Sequence, residues 1–199
     1  MSSNQKFNKM HTSERAACYN FLSILLANPL KQNFKKQLLN TTKIMTNDSE
    51  LEQSLIKLAH SSNNIELKIL QSNFNDLFIS IVEPILKPYA SYYLTGFLYE
   101  KPLAQLRSEM SRLGLKLNPD ISEPEDHISS LFETMSFLVS SEEYLEKTHE
   151  HRIFFEHFLN SWVMLFFQNL EDASKDDFYK ELAVFGKIFI NSEKFLFEL

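Results

Sequence analysis

Glycine is scarce in this sequence of 199 residues and occurs only at Gly96, Gly114 and Gly186. The dinucleotide-binding loop and the loop of P-loop proteins both need several glycines close together, because the backbone must approach a phosphate group. No window of the chain meets that requirement. The sequence therefore excludes nucleotide binding through either of these two loops.

Cysteine is scarcer still, since Cys18 is the single one. One cysteine excludes an intramolecular disulfide and a multi-cysteine zinc site, and it fits a reducing cytoplasm. Cys18 could in principle pair with a distant histidine as a nucleophile. Its apolar helical surroundings instead raise the pKa of a thiol and predict an inert side chain.

Long apolar runs and runs of basic residues are also missing. The stretch 6–29 has basic residues ahead of apolar ones, as a secretion signal does, but Glu14 and Asn20 interrupt it and no small-residue cleavage site follows. No other run approaches the roughly 20 apolar residues that span a bilayer. We therefore expect an unprocessed cytoplasmic protein without membrane insertion. The net charge of −6, with no cluster of Lys and Arg, argues against nucleic acid and favours a basic ligand.

Apolar residues are abundant and recur at steps of three and four, as in Tyr19, Leu22 and Leu26. This spacing predicts an all-α fold, and the breakers along the chain divide it into about nine helices. The length predicts one compact helical domain over residues 1–199. We expect an N-terminal half at about 13–114, a hinge at 115–122 and a C-terminal half at 123–199. Such a hinge predicts mainly monomer with some domain-swapped dimer.

An unusual concentration of acids occurs in the stretch 117–135, LNPDISEPEDHISSLFETM. Ser122 stands three residues before Glu125, as in a capping box, and Pro124 would lie in the first helical turn. Acidic side chains here would also stabilise the positive end of the helix dipole. A helix N-terminus thus accounts for the acids, but it does not account for His127, which titrates near neutrality.

The order acidic residue, Pro, acidic residue, Asp, His at 123–127 resembles the EPxDH motif of the TorD/DmsD family of cytoplasmic molybdoenzyme chaperones. Further segments resemble the family in the same order, over roughly residues 13 to 190. They are FNDLFIS at 74–80, KPYASYYLTGFLYEKP at 87–102, FFEHFLNSWV at 154–163 and DDFYKELA at 176–183. The chain departs from the family where Ile79, Ser80 and Ile81 replace a frequent Gly-Pro pair, and where Phe158 separates His157 from Leu159.

The resemblance implies a helical chaperone without catalytic residues, cofactor or metal of its own. It would bind the twin-arginine signal peptide and the apo form of a molybdenum or tungsten oxidoreductase, and support cofactor insertion before export. A twin-arginine signal has guanidinium groups followed by an apolar segment. A protein that binds it therefore needs carboxylates beside an apolar groove. The candidate peptide-binding residues are Glu123, Pro124, Glu125, Asp126, His127, Leu77, Phe78, Pro88, Tyr89 and Tyr92.

Each of these candidates also has a structural interpretation. Aromatic residues at helical spacing normally face the core, and this applies to Tyr92 and Tyr93. We expect Tyr89, between Pro88 and a helix start, to be exposed. If Asp126 receives an arginine, replacing it should weaken peptide binding at little cost to folding. If it only caps its helix, the peptide should not respond to the change. If His127 gains a charge beside Asp126 or Glu123, its pKa rises and peptide affinity increases from about pH 6 to 8.

Other sites are weaker in the sequence. In HEHRIFFEH at 149–157, His149 and His151 lie two residues apart and point to different helix faces, which disfavours a metal. Glu146 and His149 form one E-x-x-H pair, whereas a di-iron bundle needs two. Trp162 is most simply a core residue. The alternative function is an all-α enzyme or small-molecule binder with an acidic site at Asp126 and His127.

Overall fold

A computed structural model describes residues 10–42, 49–80, 83–116 and 123–199. These residues form ten α-helices and no strand, and the all-α prediction is confirmed. None of the described helices is long and apolar enough to cross a membrane. The helices are α1 (Thr12–Ala27), α2 (Gln32–Thr41), α3 (Glu50–Asn63), α4 (Leu67–Phe78), α5 (Ala90–Thr95), α6 (Lys101–Arg112), α7 (Ile128–Ser140), α8 (Thr148–Phe158), α9 (Val163–Ala173) and α10 (Asp177–Phe197).

The helix count exceeds the expected nine because the chain breaks twice between α7 and α9, at 141–147 and 159–162. Neither break contains Gly or Pro. Side chains hold both of them, since the Tyr144 hydroxyl donates to the Leu113 carbonyl (2.6 Å) and the Trp162 indole donates to the Phe158 carbonyl (2.8 Å). Trp162 is 2% exposed and is a core residue, as predicted.

The core is shared between the two sequence halves. α1 packs along α7, and α10 packs on α3 and α9. The buried side chains of these helices form one hydrophobic cluster that includes Tyr19, Leu58, Phe132 and Phe189. The expected hinge at 115–122 falls largely on residues 117–122, which lie outside the described residues. The swapped dimer therefore stays a prediction.

One ion pair is buried inside this apolar cluster. Arg15 of α1 donates through Nε and Nη2 to the two carboxylate oxygens of Glu193 on α10, both at 2.7 Å. The Tyr19 hydroxyl donates to the same carboxylate (2.8 Å). Buried charges are tolerated only when they are paired and hydrogen-bonded. The three side chains therefore fix how α1 sits against α10.

α9 and α10 approach each other most closely at Gly186. A Cβ atom at this position would lie 2.3 Å from Cε1 and Cζ of Phe167. The Phe167 ring is fully buried and stacks on Phe132 (6.2 Å between centroids). The absence of a side chain at Gly186 is thus a packing requirement.

We predict that Gly186→Ala destabilises the fold by about 1 to 3 kcal/mol, because the added methyl group overpacks the core. In an unconstrained helix interior the same change would stabilise by roughly 1 kcal/mol. Denaturant unfolding of the wild type and the variant measures the difference. Phe167→Leu should absorb most of the clash, so adding Gly186→Ala should cost less in that background. A Gly186→Ala protein at least as stable as the wild type would contradict this account.

Candidate functional site

Residues 123–127 do not open a helix. α7 begins at Ile128, and its N-cap residue is His127. Glu125 therefore does not lie in the first turn of a helix, and the predicted capping box of Ser122 and Glu125 is wrong in this respect. Ser122 itself lies outside the described residues. The acids therefore do not line the first turn of this helix.

Tertiary backbone hydrogen bonds override the local capping preference. Ala90 N–H donates to the Asp126 carbonyl (2.9 Å), and Ile128 N–H donates to the Pro88 carbonyl (2.8 Å). Tyr89 and His127 face each other in this short antiparallel bridge. A helical backbone at 126–127 would turn these groups away from residues 88–90. We call this pairing of 88–91 with 126–128 the bridge.

Asp126 is 1% exposed and serves the bridge. Its Oδ2 accepts a hydrogen bond from Ser91 N–H (2.9 Å), in the first turn of α5. It therefore caps α5, whose N-terminal N–H groups have no partner within the helix. This corrects the expectation that Asp126 presents its carboxylate to an incoming arginine without a structural role.

His127 is 6% exposed and caps α7. Its Nδ1 accepts from Ser129 N–H (3.2 Å) and lies 2.6 Å from Ser129 Oγ, which indicates the neutral tautomer protonated on Nε2. Its ring packs edge-on against Tyr89 (5.1 Å between centroids). Burial lowers the pKa of His127 to about 4, although the Glu123 and Asp126 carboxylates oppose that shift. The expectation of a raised pKa was wrong, because desolvation outweighs the nearby acids.

Glu123 is the most accessible acid of the motif. Its Oε2 accepts a hydrogen bond from the Tyr89 hydroxyl (2.6 Å), and its carboxylate is exposed. Among the described residues, no cation forms an ion pair with Glu123. Tyr89 is only partly exposed. Its pKa is raised, mainly because the phenol is partly buried and also because it donates a hydrogen bond to Glu123. Glu123 therefore offers a charge that a ligand could neutralise.

Glu125 differs from Glu123 because it already has a partner. Arg107 of α6 donates through Nε to Oε1 (2.9 Å) and through Nη2 to Oε2 (2.8 Å). The Arg107 side chain is 57% exposed and that of Glu125 is 18% exposed. The guanidinium lowers the pKa of the Glu125 carboxyl. This bidentate pair ties α6 to the motif.

The apolar candidates divide between core and surface. Leu77 and Pro88 are buried, and Tyr93 packs against Trp162 (5.1 Å between centroids), so these three follow the core interpretation. Phe78 and Tyr92 are half-buried. Pro124, also partly exposed, accepts from His127 N–H (3.0 Å) in the turn of the motif. Of these apolar candidates, only the half-buried or partly exposed ones therefore reach the surface.

An exposed apolar surface at the end of α5 was not predicted from the sequence. It consists of Leu94, Phe97, Leu98 and Tyr99, which are 43%, 69%, 38% and 72% exposed, and we call it the apolar patch. Gly96 (φ 83°) ends α5 within this segment. The signal in the sequence was a run of three apolar residues, 97–99, between a glycine and Pro102, without helical spacing.

The alternative sites gain no support from the described residues. No group of three or more His, Cys, Asp or Glu side chains among them could hold a metal ion. His151 is buried and its Nε2 lies 3.0 Å from the Tyr144 carbonyl. Burial raises the pKa of Cys18 to about 12, which keeps the thiol protonated and inert as predicted. A ligand site at Asp126 and His127 is disfavoured, because both side chains are buried and hold helix ends.

We predict that Asp126→Ala lowers the free energy of unfolding by about 1 to 3 kcal/mol, because Ser91 N–H loses its buried acceptor. Glu123→Ala is the matched control in the same motif. It should change stability by less than about 0.5 kcal/mol, because its side chain is exposed. Thermal and denaturant melts of both variants make the comparison. Equal, small losses would show that Asp126 does not hold α5.

The low pKa of His127 makes stability depend on pH. The unfolded histidine takes up a proton below about pH 6.5, whereas the folded one resists protonation down to about pH 4. The contribution is therefore present above pH 6.5 and lost as the pH falls toward 4, by about 2 to 3 kcal/mol. His127→Asn keeps a capping oxygen but cannot titrate. Its stability should fall less steeply than that of the wild type between pH 6.5 and 4 in denaturant melts; parallel curves would contradict the prediction.

Comparisons with known proteins identify the family of this chain. A family model described as nitrate reductase delta subunit matches residues 43–168. The chain is 27% identical over 197 residues to chaperone protein TorD of Vibrio atlanticus (strain LGP32), covering 89% of this chain and 92% of that one. It is 28% identical over 183 residues to chaperone protein TorD of Psychrobacter sp. (strain PRwf-1), covering 83% and 82%.

A solved structure shows the same fold. It is a protein from Archaeoglobus fulgidus proposed to act in redox enzyme maturation, with a TM-score of 0.60 and 21% identity, over 98% of this chain and 99% of that chain. The family match covers more than half of the sequence, and the curated relatives carry chaperone names rather than enzyme names. The chain therefore belongs to the nitrate reductase delta subunit family, and its curated relatives are chaperone proteins named TorD.

Proposed function

We propose that this chaperone binds the twin-arginine signal peptide of a molybdenum or tungsten oxidoreductase. It holds the apoenzyme in the cytoplasm until the cofactor is inserted. The observation that carries the proposal is that one short helix, α5, has an exposed carboxylate at its start, that of Glu123 held by Tyr89, and the apolar patch at its end. A signal peptide of this class needs both features, since its arginines precede an apolar segment.

The acidic half of the site rests on Glu123 and Glu125. Both side chains project from the turn that the bridge holds in place, whereas Asp126 and His127 point inward. An arginine guanidinium suits a carboxylate because it can donate two parallel hydrogen bonds. Asp126 and His127 thus contribute to peptide binding by positioning the turn, and Pro124 contributes by shaping it.

The apolar half rests on the apolar patch. Four neighbouring apolar side chains that are 38% to 72% exposed form an unusual surface for a soluble fold and mark an interaction site. Half-buried Tyr92 and Phe78 are the sequence-predicted aromatics that remain accessible at the surface. Leu77 and Pro88 are buried and would contribute through core packing rather than through contact with the peptide. The chemistry of the patch suits the apolar segment that follows the arginines.

Calorimetric titration with a synthetic signal peptide tests the proposal, with the Arg-Arg pair either intact or changed to Lys-Lys. We predict that Glu123→Gln weakens binding roughly five- to tenfold, because a charge-assisted hydrogen bond is lost. Glutamine can still accept from Tyr89, so folding should be unchanged. Affinity for the intact peptide should fall as salt increases.

Phe97→Ser should weaken binding by a similar factor, because less apolar surface is buried on the peptide. Leu165→Ser on α9 is its matched control, since Leu165 is 55% exposed and lies outside the apolar patch. Serine at position 165 should leave affinity unchanged. No measurable binding by the wild type, or equal losses for the two serine variants, would refute the assignment of this surface.

A further inference from the structure

We infer that Arg107 is an internal competitor for Glu125 and lowers the affinity of the site for the peptide. The inference rests on the proposed function. In the free protein Arg107 occupies the carboxylate that the second arginine of the signal takes when the peptide binds. The ion pair is thus an autoinhibitory contact within the same site.

The two acids of the turn are unequal in the free protein. Glu123 accepts one hydrogen bond from a neutral phenol, so its charge remains available. Glu125 is neutralised by two hydrogen bonds from Arg107, at 2.9 and 2.8 Å. A peptide with a single basic residue can therefore be accommodated at Glu123 without disturbing the protein. A second basic residue finds Glu125 occupied.

The exposures of the pair determine which partner can leave. The Arg107 side chain is 57% exposed, so its guanidinium is readily hydrated when it is released. The Glu125 side chain is 18% exposed and would lose a hydrogen-bonded cation in a partly desolvated position. The carboxylate therefore stays in place and exchanges its partner.

There is room for that exchange. Among the described residues, Arg107 and Glu125 border a cavity of about 320 Å³ whose wall also includes Met110 and Leu115. A second guanidinium can approach Glu125 from this side while the Arg107 side chain swings out on its flexible stem.

The exchange is possible because an incoming guanidinium restores both hydrogen bonds to Glu125. A lysine ammonium presents a point charge that cannot reproduce the parallel pair, whether or not Arg107 is present. The free energy needed to displace Arg107 is the same for either residue, so the competitor lowers affinity without favouring arginine. At Glu123 no such competitor exists among the described residues.

Arg107→Gln tests the inference in the full chain. With the competitor removed, the Arg-Arg peptide should bind roughly two- to fivefold more tightly, the size expected for an exposed ion pair. The affinity ratio between the Arg-Arg and the Lys-Lys peptide should not shrink, because Arg107 imposes the same cost on either peptide that displaces it. Thermal melts check that the variant remains folded.

Arg112→Gln is the matched control. Arg112 lies on the same helix, is 50% exposed and forms bidentate hydrogen bonds with Glu109 at 2.9 and 2.7 Å. Its removal changes the net charge by the same amount but frees no carboxylate of the turn. It should alter affinity less than about twofold, as expected for a screened charge outside the site. Equal gains for Arg107→Gln and Arg112→Gln would overturn the inference, since net charge alone would then explain both.

Glu125→Gln separates the remaining outcomes. It should weaken binding of the Arg-Arg peptide, and Arg107→Gln should then give no further gain in that background. Weaker binding by Arg107→Gln alone would overturn the inference, because it would mean that Arg107 orients Glu125 for the peptide. Absence of binding by the wild-type protein would instead remove the proposed function itself.

Discussion

The geometry of the site depends on the short bridge between residues 88–91 and 126–128. It joins the start of α5 to the start of α7 through two backbone hydrogen bonds and the Asp126 cap on Ser91. Both joined segments are irregular, and each would otherwise leave buried N–H and C=O groups without partners. Because the bridge satisfies these groups together, the turn at 123–125 has a fixed position on the protein surface.

The motif at 123–127 therefore divides its residues between two roles. Asp126 and His127 face inward and cap the N-terminal ends of α5 and α7. The low pKa of His127 follows from its burial. Glu123 and Glu125 face outward and carry the charges that a basic ligand would meet. The motif looks like one acidic cluster in the sequence. In the structure, two of its residues cap helices and two others present carboxylates at the surface.

The sequence was sufficient for the fold class and the family, because the spacing of apolar residues fixes helices and the motifs occur in the family's order. It failed where tertiary contacts decide. The start of α7 moved from about Ser122 to Ile128, since the bridge outweighs local capping. The breaks at 141–147 and 159–162 contain no Gly or Pro, and they depend on Tyr144 and Trp162 finding distant or backbone acceptors.

The separate roles of the site residues could not be predicted for the same reason. Carboxylates at 123, 125 and 126 look equivalent in sequence, and only the fold makes Asp126 1% exposed while it leaves Glu123 at the surface. The partner of Glu125, Arg107, stands 18 residues away on another helix, and no local pattern links them. The apolar patch escaped attention because a sequence does not show which apolar residues fail to reach the core.

Tyr99 of the apolar patch has a positive backbone φ angle, which is consistent with the patch being a binding surface. Its φ of 61° is unusual for a bulky residue and costs on the order of 1 kcal/mol or more. A glycine would avoid that cost, and Gly96 shows that the same loop uses glycine where only a turn is required. At position 99 the strained backbone instead carries an aromatic ring that is 72% exposed. The strained backbone and the exposed apolar ring both lower the stability of the isolated chain. A ligand that covers the ring removes its apolar surface from water and so offsets the free energy lost through exposure.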